Sequence, residues 1–154
     1  MHQDGGSLYT GSQMSGVTFW YALEDTSARN GCLEVARGTH RVEPIRTRSV
    51  VGDLGQARNV ELANPVYVNI EDVDDSTLPK RNENGEYEYT KLEVKAGTLV
   101  IMHGNLFHTS APNRSEKNRM AMKFSIVEGQ HGWKEDSFLQ PGRKDGFEKL
   151  RGLY

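Results

Sequence analysis

From Arg119 to Val127 the chain alternates strictly, with Arg119, Ala121, Lys123 and Ser125 on one face and Met120, Met122, Phe124 and Ile126 on the other. That two-residue repeat belongs to a β-strand and not to a helix. An arginine opposite an apolar stripe ordinarily meets solvent. The alternative is that its face lines a barrel interior, where a guanidinium grips a carboxylate through two parallel hydrogen bonds.

Other segments follow the same local logic. Val17 to Leu23 is rich in β-branched and aromatic residues, Asn30-Gly31 marks a turn, and Cys32 to Val35 reads as a short strand ended by Gly38. Thr98 to His103 is the clearest strand, preceded by Tyr89 to Val94 and the turn Ala96-Gly97. Pro65 to Ile70 is predicted as a strand, at an edge because it opens with proline. Residues 41–64 are polar and are predicted as a long loop with one short strand, and 72–87 as an exposed acidic excursion. A helical turn is expected near Phe147. Many short strands with irregularly spaced turns imply an all-β sandwich or jelly roll.

The 154 residues suit a single domain, 1–154. A net charge of -2 lacks the basic excess that nucleic acid or an anionic membrane calls for. One cysteine, Cys32, allows no intrachain disulfide and reads as a small buried residue. The longest apolar run, Phe19 to Leu23, is far too short for a bilayer, and neither a signal peptide nor a C-terminal peroxisomal address is visible. The expected compartment is the cytoplasm.

His2-Gln3-Asp4 puts an imidazole and a carboxylate two residues apart, so an extended backbone aims both at one point. A third nitrogen ligand would complete the two-histidine, one-carboxylate face that suits non-haem Fe(II) and leaves positions open for co-substrate and O2. Alone, His-x-Asp is a weak signal, and the pattern by itself favours a solvated terminus. The candidates for the third ligand are His40, His103, His108 and His131. His108 shares a face with Ser110, and Arg119 follows eleven residues on.

These residues carry a resemblance to the phytanoyl-CoA dioxygenase family. It runs through His2-Gln3-Asp4, Trp20 to Asp25, Asn30 to Leu33 with Gly38-Thr39-His40, then Gly97 to Gly104, His108 to Ser115 and Arg119. The tail, with Trp133 and Ser137 to Pro141, looks most like the phytanoyl-CoA dioxygenase domain-containing proteins. The resemblance implies a double-stranded β-helix, a cupin-like jelly roll. It implies Fe(II) bound by His2, Asp4 and His108, and 2-oxoglutarate held at its distal carboxylate by Arg119 with help from Ser110. Gln3 and Trp20 match positions that contact the co-substrate, although Trp20 equally fits a core aromatic. The reaction implied is oxidative decarboxylation of 2-oxoglutarate by O2 coupled to hydroxylation of a small-molecule or acyl substrate, with ascorbate as a candidate reductant. By the matching offsets His103 is left to packing or a hydrogen bond and His40 to a turn, and His131 has no partner motif.

Two departures stand out. Arg37 replaces the proline usual before the Gly-Ser/Thr-His turn. In the family a long portion supplying helices on the outer face of the sheet precedes the metal motif, which begins here at residue 2. The expectation is a truncated core lacking that helical portion, with Phe19, Tyr21, Leu23, Met120, Met122 and Phe124 uncovered and open to a partner or to self-association. A catalytically inactive jelly-roll module is the second reading. A cupin-type metal protein without 2-oxoglutarate is the third, and it leaves Arg119 and Ser110 without a task.

Overall fold

In a computed structural model of the chain, the residues described are 1–9, 16–68, 74–129, 132–140, 147, 148 and 150. Eight strands carry the architecture: β1 (Val17–Ala22), β2 (Leu33–Val35), β3 (Ile45–Val51), β4 (Ala57–Val66), β5 (Thr90–Leu92), β6 (Leu99–His103), β7 (His108–Ser110) and β8 (Ala121–Ile126). They pair as β6-β1-β8, β5-β2-β7 and β3-β4, every pair antiparallel.

The alternation in β1 decides which side is the inside. Thr18, Trp20 and Ala22 are buried while Val17, Phe19 and Tyr21 are half-buried on the other face. Register carries that choice to the neighbouring strands, since directly opposed residues share a face. Trp20 faces Val100 on one side and Lys123 on the other, and Thr18 faces Met102 and Ser125. In the second sheet Val35 pairs with His108, and Leu33 with both Leu92 and Ser110. Trp20, Ala22 and Met102 from the first sheet close against Leu33 and Val35 from the second, with Leu92, Val94, Val100, Leu106 and Ala121 around them. Two antiparallel sheets enclosing one core make the jelly roll that the strand pattern implied. The face of β8 bearing Lys123 and Ser125 is therefore the one shared with buried Trp20 and Thr18.

Residues 41–64 depart from expectation. Instead of a loop with one short strand, they hold most of a hairpin, β3 and β4, joined through a 3-10 turn at Asp53–Gly55. The ribbon is polar on both faces, with only Ile45 and Val50 buried, so no apolar period advertises it. Its order comes from the backbone ladder and from Val51 N–H donating to Asp136 O at 2.9 Å. The strand predicted to open at Pro65 is the end of β4, which stops at Val66. Pro65 lies where the register slips between Ile45 and Thr47, and an irregular pairing tolerates its missing N–H. Asn69 and Ile70, His131, and most of the segment around Phe147 lie outside the described residues.

Between β2 and β3 a single helical turn, α1 (Thr39–Val42), begins at Gly38 with φ of 83°. A Cβ there would stand 2.3 Å from Thr77 O, so only glycine lets the 75–79 segment approach. Among the described residues no helix is long and apolar enough to cross a membrane.

The outer face of the β6-β1-β8 sheet is apolar and open. Phe19 stacks on Phe124 with centroids 4.9 Å apart, flanked by exposed Ile101, Leu99 and Met122. An environment-sensitive apolar dye should therefore bind this chain, and Ile101→Lys combined with Met122→Lys should remove most of its fluorescence. Because both side chains are surface-exposed, stability should stay within about 0.5 kcal/mol per substitution. Unchanged dye binding would mean that the dye reports a different surface.

Candidate metal centre

The first residues are tied to the barrel by backbone hydrogen bonds. His2 and His108 exchange both, N–H to O at 3.0 and 3.1 Å, and Gly5 N–H donates to Gly104 O at 2.9 Å. Gln3 adds a side-chain bond, Nε2 to Asn105 O at 2.9 Å. A terminal segment anchored in this way is not a fraying one. Gln3 is extended, with φ -120° and ψ 129°, so His2 and Asp4 project to the same side before the chain tightens into the 3-10 turn Asp4–Gly6.

Asp4, His2 and His108 thereby meet. One ligand atom from each lies within 4.8 Å of the others. Asp4 Oδ1 stands 3.6 Å from His2 Nε2 and 3.7 Å from His108 Nε2, and the two imidazole centroids are 4.1 Å apart. Adjacent ligands of a metal bound at about 2.1 Å sit about 3 Å apart, so modest side-chain closure suffices. His108 is buried, and its Nδ1 lies 2.9 Å from Leu106 O. As Nδ1–H donates there, the lone pair is left on Nε2, facing Asp4. Burial also pulls the His108 pKa down, outweighing the Leu106 bond and the Asp4 charge, which favours the neutral imidazole a metal requires. The donor set, two imidazole nitrogens and one carboxylate oxygen, fits a divalent transition metal such as Fe(II).

Asp4 is 6% exposed, and burial by itself would raise its pKa. The His2 imidazole 3.6 Å away, hydrogen bonds from Lys123 and Thr18 and the Lys123 charge prevail, holding the carboxyl well below the usual carboxylate range. Thr18 Oγ1 donates to Oδ2 at 2.7 Å and lies 3.0 Å from Ser125 Oγ. Lys123 Nζ donates to Oδ1 at 2.7 Å. Sequence reasoning gave these three residues no role. The signal was nonetheless present, because Lys123 and Ser125 share the face of Arg119 and Thr18 that of Trp20.

The other expected site residues are distributed unevenly. The Arg119 guanidinium lies 5.7 Å from the Trp20 ring centroid and close enough to Cys32 to pull against the upward shift that burial imposes on its thiol. Ser110, paired with Leu33, ends β7 on its exposed side. Trp20 is 6% exposed and packs in the core cluster. The Gln3 amide serves Asn105, yet Gln3 also lines a cavity of about 490 Å³ with His2, Phe107, Arg46, Thr47 and Asn59. Hairpin residues thus rim the space beside His2. His103 Nδ1 accepts from Asn105 N–H at 3.0 Å, as a packing and hydrogen-bonding residue would. His40, 5.4 Å from the His103 ring, lies in α1.

Thr18→Val keeps the volume and removes the hydroxyl, leaving Asp4 Oδ2 buried without its partner. Denaturant unfolding should show a loss of about 1–3 kcal/mol. The depressed Asp4 pKa sets a pH dependence as well. Unfolded aspartate takes up a proton near its ordinary value of about 3.9, while folded Asp4 does not until much lower pH. Its contribution is therefore complete above that range and is lost as pH falls through the folded value. The stability difference between wild type and Asp4→Asn should be flat from about pH 7 to 5 and shrink below about pH 4. A difference that grows on acidification would contradict the pairing.

A family model described as phytanoyl-CoA dioxygenase (PhyH) matches residues 1–121. A phytanoyl-CoA dioxygenase of Arabidopsis thaliana is 32% identical over 140 residues, covering 90% of this chain and 42% of that protein. Phytanoyl-CoA dioxygenase domain-containing protein 1 of Bos taurus is 30% identical over 141 residues, covering 91% and 43%. The chain spans less than half the length of these curated relatives. Among solved structures, the non-heme alpha ketoglutarate dependent carbocyclase SnoK from nogalamycin biosynthesis superposes with a TM-score of 0.55 at 22% identity, covering 82% of this chain and 42% of that one. That likeness supports the fold. With a family model matched over residues 1–121 of its 154, the chain belongs to the phytanoyl-CoA dioxygenase family.

Proposed function

We propose that this chain is the catalytic core of an Fe(II)- and 2-oxoglutarate-dependent dioxygenase that hydroxylates a small molecule. The supporting observation is the convergence of His2, Asp4 and His108 donor atoms within 4.8 Å. Arg119, preceding β8, follows the alternation that gives Lys123 and Ser125 their interior face. Bound to those three residues, Fe(II) together with 2-oxoglutarate and O2 supplies oxidative decarboxylation of the oxoacid, coupled to substrate hydroxylation.

The protein's own part is positional. His108 offers Nε2 because Leu106 O holds Nδ1, and Asp4 offers Oδ1 because Thr18 holds Oδ2. Arg119 presents a rigid fork to the distal carboxylate of the oxoacid, a geometry lysine does not provide. Ser110 adds a hydroxyl to that carboxylate. Trp20 and Leu33, both buried, keep the inner wall of the chamber dry. The cavity of about 490 Å³ beside His2 receives the substrate to be hydroxylated, and Arg46, Thr47 and Asn59 of the hairpin give it a polar rim.

Thermal melts with Mn(II) and 2-oxoglutarate, added separately and together, test this. A native-state ligand at a hundredfold excess over its dissociation constant stabilises by about 2.7 kcal/mol. Wild type should respond to Mn(II) and respond further to 2-oxoglutarate. Arg119→Ala should keep the first response and lose the second, and His108→Ala should lose both. Fe(II)-dependent succinate formation then separates an enzyme from an inactive module. Melts that neither ligand shifts would overturn the proposal in favour of the inactive jelly roll.

A further inference from the structure

We propose that Lys123 is a resident cation of the metal centre and competes with the metal for Asp4 Oδ1, so that loading requires this lysine to let go. The proposal rests on the reading of His2, Asp4 and His108 as the metal-binding face. Register opposite Trp20 turns Lys123 into the barrel, where Nζ donates to Asp4 Oδ1 at 2.7 Å. The two carboxylate oxygens have different duties. Oδ2 is committed to the Thr18 hydroxyl at 2.7 Å. Oδ1 is the oxygen turned toward both imidazoles, 3.6 Å from His2 Nε2 and 3.7 Å from His108 Nε2. The ammonium thus holds the oxygen that a metal shared by these three residues needs. Two cations on one oxygen repel, and a divalent ion gains less than it would beside a neutral neighbour.

The arrangement supports release. The Lys123 side chain is 45% exposed and its stem flexible, whereas the Asp4 side chain is 7% exposed and fixed by the turn and by Thr18. The lysine can swing toward water while the carboxylate stays. Until then it keeps a buried charge paired, which an unaccompanied Asp4 would lack. Lys123 is accordingly a positioning residue that sets metal affinity, and it contributes nothing to the ligand set.

Mn(II) alone, titrated into metal-stripped protein with free Mn(II) read by electron paramagnetic resonance, provides the test. A charge-assisted hydrogen bond that no longer has to be broken predicts that Lys123→Met binds Mn(II) about tenfold tighter or more. Lys123→Arg, which keeps the charge, should bind no tighter than wild type. Before loading, Lys123→Met should melt below wild type and gain more on adding Mn(II), a reversal that a lysine with a purely structural role would not produce. Lys123→Gln repeats the comparison should the methionine variant fail to fold. Equal or weaker Mn(II) binding in the neutral variants while wild type binds would overturn the role of Lys123 and leave the metal centre standing. No Mn(II) binding in any variant would overturn both.

Discussion

A charged carboxylate in the wall of a barrel is the constraint around which this structure is organised. Asp4 sits where burial alone would neutralise it, and it stays ionised because two hydrogen bonds and a nearby imidazole meet it from three directions. Each comes from a different element: the chain start brings His2, the central strand of one sheet brings Thr18, and the neighbouring strand brings Lys123. Only the pairing of β1 with β8 in its observed register puts Thr18 beside Ser125 and Lys123 two residues away on the same face. A slip of β8 by one residue would turn Met122 and Phe124 inward in place of Lys123 and Ser125 and leave the carboxylate without its ammonium partner. The site and the sheet therefore specify one another.

The second sheet solves a different problem, the orientation of His108. Its backbone is locked twice, to Val35 through the β2–β7 pairing and to His2 through the bridge between the termini of the motif. Its ring is then fixed by a bond to a carbonyl only two residues back in its own chain. A ligand constrained at backbone and at Nδ1 needs little reorganisation on binding, so more of the binding energy is realised as affinity.

Much of this was legible in the sequence where one face of a strand differs chemically from the other. β8 announces itself by alternation, β1 by its β-branched and aromatic residues and β6 as a short apolar run, and the placement of Lys123 and Ser125 on the face of Trp20 and Thr18 follows from the β8 pattern once the barrel is granted. The β3–β4 ribbon was hidden because Arg46, Arg48, Asn59 and Glu61 make it polar on both sides, so its order resides in backbone bonds that carry no side-chain signature. The choice of His108 over His103 came from matching offsets to Ser110 and Arg119, and periodicity alone did not make it. Geometry now separates the two physically: His103 spends its Nδ1 as an acceptor within its own loop, while His108 directs Nε2 at Asp4. The bond from Gln3 to Asn105 O was illegible for another reason, since it depends on a loop one hundred and two residues away.

The two faces of β8 invert the arrangement of an ordinary surface strand. Lys123 and Ser125 share the face of Thr18 and Trp20, while Met122 and Phe124 point the other way and, like the Lys123 side chain, are about half exposed. A chain selected only for stability would turn that strand over, burying the apolar residues and hydrating the lysine. The inversion persists because the polar face has work inside: a buried carboxylate to pair, a hydroxyl to orient, and a guanidinium kept clear of every ion pair recorded among the described residues. A half-buried arginine that takes part in no ion pair recorded among the described residues is the group that the proposed function offers to an anion from outside the chain. On that proposal, the same inversion that exposes the outer sheet face leaves Arg119 available to an acid in the chamber.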